Sequence, residues 1–263
     1  MTTSTQTEGY PTLIRDLEAE HQALRQIVEC LRTEHWDRLT PADGWAIRDQ
    51  VQHLARFDEL GALAVTQPGR FAEERDTIAA SVDRFLADEI TRAAATPPLE
   101  LEGWWLSAAA SLVEALSGVE ETARLPWFGP PMSARSFASA RLMEAWAHGE
   151  DIARTLGVDR AATDRLRHVA HLGVLTRRWS YINRGLTPPD CDIRVELAAP
   201  SGDRWTWGPE AAAQRISGTA VGFALVVTQR ASVAQAALHI VGDDAHEWMD
   251  LAQCFAGPPT RRG

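Results

Sequence analysis

The chain has 263 residues, 45% of them hydrophobic and 24% charged, with a formal net charge of −10. That composition describes a globular protein long enough for one large domain or two modest ones. The acidic balance argues against nucleic acid or an anionic membrane surface as the main partner, since both call for a basic field, and no run of about 18 apolar residues predicts a membrane span.

The opening stretch, MTTSTQTEGYPT, lacks the basic and apolar regions of a signal peptide and reads as a short flexible leader. Leu13, Ile14, Leu17, Leu24, Ile27, Val28 and Leu31 recur at helical spacing and predict an amphipathic helix. LTPADGW breaks it with Pro41 and Gly44, and Asp43 or Asp49 can contribute to the start of the next helix. That second helix carries its apolar stripe through Ile47, Val51, Leu54 and Ala55. A polar helix is expected from about Phe71 to Ala93, then another over LEGWWLSAAASLVEALSG. LPWFGPPMS is a proline-rich loop whose Trp127 and Phe128 are placed to cap a pocket. Ser133 or Ser136 can cap a helix over about 137–156 that stops at Gly157. Short connections make this first part, residues 10–157, an antiparallel four-helix bundle with a shorter fifth helix.

The pattern changes after residue 157. DRLRHVAHLGVLTRRWSYINRG predicts one helix, and DIRVELAAPSGDRWTWG alternates about a Ser-Gly-Asp turn, which signals a hairpin. AQRISG and ALHIVG read as short strands, TAVGFALVVTQR and DDAHEWMDLAQCFAG as helices, and GPPTRRG as a loose tail. Residues 158–257 therefore make an α+β domain. Cys30, Cys191 and Cys254 are odd in number and far apart, which fits a reducing cytoplasm and no disulfide framework.

The chemistry concentrates in RLMEAWAHGEDIA. On a helix it sets Glu144 and His148 four residues apart on one face, with Asp151 close to the same face. Two side chains so spaced can reach one ion, and imidazole with carboxylate suits zinc and its first-row neighbours. His53, mid-way along the second helix and beside its apolar stripe, is the best third ligand. Two histidines and one glutamate leave a coordination position open, the pattern of a catalytic rather than a closed structural site. The open position suits a water, a hydroxide or a substrate thiolate. Asp151 can orient His148, accept from it, or handle a proton. A lone Glu-x-x-x-His pair usually sits on a solvated face and binds nothing, so the argument rests on His53 and the pair belonging to one bundle.

Other features carry less. His21 and His35 lie among charges and read as solvated, His168 and His171 as surface or interface residues, and His246 as part of a helix start. Of ten tryptophans most belong in the core, but Trp45, Trp127 and Trp146 flank the proposed site in sequence and are candidates for binding substrate.

GWAIRDQVQHLARFD resembles the second-helix signature of the DinB-like superfamily, in its mycothiol-dependent maleylpyruvate isomerase branch. SARLMEAWAHGEDIARTLG resembles that branch's second metal motif, and WFGPPMSARSFA an actinobacterial subgroup of metal-binding proteins. From DIRVEL through WTWGPEAAAQRISG to FAGPP the chain resembles the same subgroup's C-terminal domain, which is similar to a sterol-carrier-protein fold. The resemblance implies a divalent metal, typically zinc, held by His53, Glu144 and His148. It also implies mycothiol as a thiol cosubstrate and a C-terminal arginine, for which Arg230 is the nearest candidate.

The leading expectation is thus a metal-dependent isomerase or S-transferase that uses mycothiol on a small electrophilic metabolite. It works in the cytoplasm without nucleic acid or membrane, and a homodimer is allowed. One alternative keeps the metal without the thiol, for hydrolysis, cyclisation or isomerisation of a specialised metabolite. Another is a non-catalytic small-molecule or lipid-binding protein that carries a metal site.

Overall fold

The computed structural model describes residues 9–257 and Pro259, so most of the predicted leader and tail lie outside the described residues. The chain forms two compact units, one ending at Arg160 and the other beginning at Ala161.

The first unit contains α1 (Tyr10–Val28), α2 (Ile47–Thr66), α3 (Pro68–Ala80), α4 (Val82–Ala95), α5 (Pro98–Ser117), the two-residue strands β1 (Arg124–Leu125) and β2 (Met132–Ser133), and α6 (Ala134–Leu156). Helix α1 packs on α5 and α6, and α2 also packs on α5 and α6, so the four close into a bundle. Their apolar faces meet in a core that includes Leu24, Trp36, Ile47, Val51, Leu54, Trp105 and Ile152. Burying such side chains contributes roughly 1.5–3 kcal/mol each before entropy is counted. Helix α2 approaches its neighbours closely at Gly61, where a Cβ would stand 2.9 Å from Leu112 and 3.3 Å from the Phe137 ring. A larger residue there would require the Leu112 and Phe137 side chains to shift.

The local signals act as their chemistry dictates. Pro11 opens α1, where a missing N–H costs nothing. Asp49 takes the Ala46 N–H at 2.8 Å and starts α2. Ser133 accepts from the Ser136 N–H to start α6, and Gly157 ends that helix in the left-handed region at φ 68°. The proline-rich loop is the turn of a small hairpin, β1 antiparallel to β2.

Two expected helices are broken. The polar helix of 71–93 divides into α3 and α4 at Ser81, whose φ of −158° and ψ of 72° leave the helical region. Serine competes with the helix for backbone hydrogen bonds, so it breaks a helix cheaply. In the second unit the helix expected across Asp164–Gly185 becomes α7 (Leu166–Leu175) and α8 (Arg177–Ile182). Between them the Thr176 hydroxyl donates to the Leu172 carbonyl at 2.8 Å, a back-bond that bends helices.

The second unit continues with β3 (Ile193–Ala198), β4 (Arg204–Trp207), β5 (Gln214–Thr219), α9 (Ala220–Val227), β6 (His239–Val241) and α10 (Asp243–Leu251). Its four-stranded sheet runs β4-β3-β5-β6. β3 is antiparallel to β4 and parallel to β5, and β5 is antiparallel to β6. It is an α+β fold. Among the described residues no helix is long and apolar enough to cross a membrane.

His21 is not solvated. It lies buried on α1 with Nε2 3.4 Å from Asp58 of α2, and Asp58 also receives Arg141 of α6 at 2.8 and 3.0 Å. His168 is likewise buried. Burial pushes the Asp58 carboxyl up, but Arg141 and His21 outweigh it and hold it below the ordinary carboxylate range. Three helices are therefore joined by one buried ionic cluster. Asp58→Ala, which leaves the Arg141 guanidinium buried without its carboxylate, is expected to cost about 3–5 kcal/mol in urea unfolding. Because the folded pKa is depressed, the carboxylate's contribution is full above the ordinary aspartate value and is lost as pH falls from there towards the folded value. In Asp58→Asn that part of the acid-denaturation limb should flatten, and an unchanged limb would contradict this account.

Candidate metal centre

Helices α2 and α6 bring three predicted ligands together. Glu144 and His148 lie one turn apart on α6, and His148 Nε2 stands 3.1 Å from Glu144 Oε2. From α2, His53 Nε2 reaches within 3.6 Å of the same oxygen. The two imidazole rings are 4.6 Å apart between centroids. One donor atom from each residue falls within 4.8 Å of the other two. An ion held tetrahedrally at about 2.0–2.2 Å sets its ligand atoms roughly 3.4 Å apart. The observed 3.1 and 3.6 Å bracket that spacing, so the donor set fits a divalent transition metal in both chemistry and geometry.

Burial alone would raise the Glu144 carboxyl, but hydrogen bonds and charge from His148 and His53 hold it well below the ordinary glutamate range. It is therefore an anion at neutral pH, as a metal ligand must be.

A hydrogen-bond chain fixes the orientation of His148. The Thr40 hydroxyl donates to the Trp45 carbonyl at 2.9 Å, which leaves its oxygen to accept from Gln50 Nε2 at 2.8 Å. With its NH2 so engaged, the buried Gln50 presents Oε1 to His148 Nδ1. Nδ1 must then carry a proton, so Nε2 is the atom that would meet an ion at the cluster, on giving up its hydrogen bond to Glu144. Gln50 thus orients His148, a part the sequence had offered to Asp151. Asp151 is buried on the same side of α6, one turn beyond His148, and is not one of the three clustered residues.

The aromatic candidates separate. Trp45 stacks on His148 at 5.9 Å with 12° between planes and tilts against His53 at 5.3 Å. Trp127 is one ring further out. It stacks on Phe71 at 5.5 Å and meets Phe57 at 6.2 Å, and Phe57 in turn touches His53 at 4.5 Å. Trp146 lies roughly 200° around α6 from Glu144, away from the trio. Its carbonyl accepts from Arg160 at 2.9 Å on that far side. Arg230 belongs to the second unit, where its guanidinium donates to the Thr228 carbonyl at 2.7 Å.

Sequence reasoning missed Gln50 and Phe57. The signal was present as a helical i, i+3, i+7 series through Gln50, His53 and Phe57 on one face of α2. Partners that orient a metal-bound histidine typically contribute 10–100-fold to affinity. Gln50→Leu should weaken zinc binding by about that factor in competition with a chromophoric chelator, while Gln50→Glu, which keeps an acceptor, loses less. Equal affinity in wild type and Gln50→Leu would contradict the assigned network.

Residues 17–153 match the family model described as the mycothiol maleylpyruvate isomerase N-terminal domain. A protein of Mycobacterium tuberculosis strain CDC 1551 / Oshkosh, named only as uncharacterised, is 47% identical over 248 residues, covering 94% of this chain and 96% of its own. One from strain ATCC 25618 / H37Rv matches to the same extent. Among solved structures, the mycothiol-dependent maleylpyruvate isomerase and a histidine-to-alanine mutant of it share the fold with a TM-score of 0.57, at 16% identity. Those matches cover 88% of this chain and 93% of theirs. The chain therefore belongs to the mycothiol-dependent maleylpyruvate isomerase branch of the DinB-like superfamily.

Proposed function

We propose that the protein is a metal-dependent enzyme that uses mycothiol to isomerise, or to transfer sulfur to, a small electrophilic metabolite. The observation that carries this reading is the convergence of His53, Glu144 and His148 on one point from two helices, with three donors and no fourth among the described residues. Zinc is the ion these donors suit best, and bound there it would supply the acidity that keeps a thiol ionised at neutral pH.

The chain's own residues do the rest. Glu144 brings a negative charge that burial opposes and that His148 and His53 sustain. Gln50 holds a proton on His148 Nδ1, so that Nε2 would be the ligand atom once an ion displaces its hydrogen bond to Glu144. Trp45 and Phe57 pack on the two imidazoles, Trp45 on His148 and Phe57 on His53. Family membership supports the thiol as cosubstrate.

Zinc-loaded protein, offered mycothiol with a panel of electrophiles that includes maleylpyruvate, is expected to show turnover that requires both thiol and metal. His53→Ala and Glu144→Ala should abolish it. Absence of metal-dependent turnover with every electrophile, or an undiminished rate without thiol, would overturn the reading.

A further inference from the structure

Helix α4 spends its apolar face in an unusual way. Val82, Phe85, Leu86 and Ile90 recur at helical spacing, yet Ala93 is the residue of α4 that is fully buried. Leu86 and Ile90 remain 44% and 47% exposed although α4 packs on α2. Phe85 packs against the core between α2 and α3, but Leu86 and Ile90 do not close a core. Phe85, Leu86 and Ile90 wall one side of a cavity of about 140 Å³ whose opposite wall is Trp45, His53 and Phe57. Those three rings are the ones that touch one another around the metal trio. The cavity thus adjoins the centre on its His53 side, His53 being the ligand on its lining.

Its charge is as informative as its shape. Asp49 and Glu89 are on its lining, the latter held by the Gln52 amide at 2.6 Å. Arg56, the cation of that lining, is engaged by Glu59 at 2.8 Å and Glu74 at 2.7 Å. A dicarboxylate entering here would meet two carboxylates and a guanidinium already neutralised. An uncharged apolar group would meet aromatic and aliphatic surface, and an apolar cavity of about 150 Å³ is known to hold benzene.

We propose that this cavity seats the uncharged, apolar body of the substrate, about one ring in size, so that the electrophile is a neutral aryl or alkyl compound and not a dicarboxylate such as maleylpyruvate. As a statement about the substrate it rests on the thiol reading above. With a neutral enone the step balances without further reagents. The thiol sulfur bonds to the β-carbon, the π pair moves toward the carbonyl, and the α-carbon takes up the proton the thiol releases.

Two measurements test it separately from that reading. Calorimetric titration with p-cresol, a neutral single-ring probe, and with maleate, a dianion, reads the cavity alone. Leu86→Asp and Ile90→Asp change exposed positions, and both are expected to keep the metal content of the wild type, which elemental analysis checks. Wild-type protein is expected to bind p-cresol in preference to maleate, and both variants to bind p-cresol about tenfold more weakly. No p-cresol binding by the wild type, equal affinity in both variants, or a preference for maleate would overturn the proposal. In turnover with mycothiol, 4-phenylbut-3-en-2-one should exceed maleylpyruvate in kcat/KM by about tenfold or more, with KM raised in both variants. Preference for the dianion would also overturn it. Turnover with neither compound nor any other electrophile of the panel, alongside the expected p-cresol binding, would uphold the cavity's specificity and overturn the thiol reading.

Discussion

A carboxylate held between two imidazoles is the interaction on which the bundle's functional end depends. Burial works against the charge of Glu144, and His53 and His148 compensate for it. That compensation requires α2 and α6 to sit at a fixed spacing and rotation, because a shift of either helix would separate Oε2 from one of the rings. Gln50 adds a second tie between the same helices through His148 Nδ1. Its own amide is oriented in turn by Thr40 in the connection that precedes α2. Positioning of one ligand thus extends from α6 to the segment before α2.

The rest of the bundle maintains that spacing. Gly61 permits the close approach of α2 to α5 and α6. Between Gly61 and His53 on α2 lies Asp58, whose carboxylate binds α1 through His21 and α6 through Arg141. Buried ionic clusters rarely add net stability over apolar packing, but they penalise any arrangement that leaves one member unpaired. Here that penalty opposes sliding of α2 along α6, the motion that would open the metal site. The aromatic group of Phe57, Phe71, Trp127 and Phe128 then fixes the hairpin before α6 against α2 and α3. Trp127, which the sequence offered as a substrate contact, is part of this packing.

Much of this was legible in one dimension. Apolar spacing marks the bundle helices, and the 3.6-residue period of a helix is enough to put Glu144 and His148 on one face. Asp49, Ser133 and Gly157 are helix-end residues that act where their chemistry predicts. The missed features share a cause. Ser81 and Thr176 interrupt helices without proline or glycine, through backbone competition that composition does not reveal. His21 stands among charged neighbours in sequence, and its partner Asp58 is on another helix, so its burial is a tertiary fact. Gln50 carries no charge and no metal-ligand character, and its importance appears only when the partner of His148 Nδ1 is sought. Trp146 shows the converse error, since nearness in sequence to Glu144 put it on the opposite side of α6.

The central claim is that His53, Glu144 and His148 form one metal site. Elemental mass spectrometry tests it most directly, on protein purified without chelator or nickel affinity and compared with His53→Ala and Glu144→Ala. The account predicts about one equivalent of zinc or another first-row metal in the wild type, lost in both variants. Metal absent from the wild type and not regained on adding zinc, or retained in full by both variants, would contradict it.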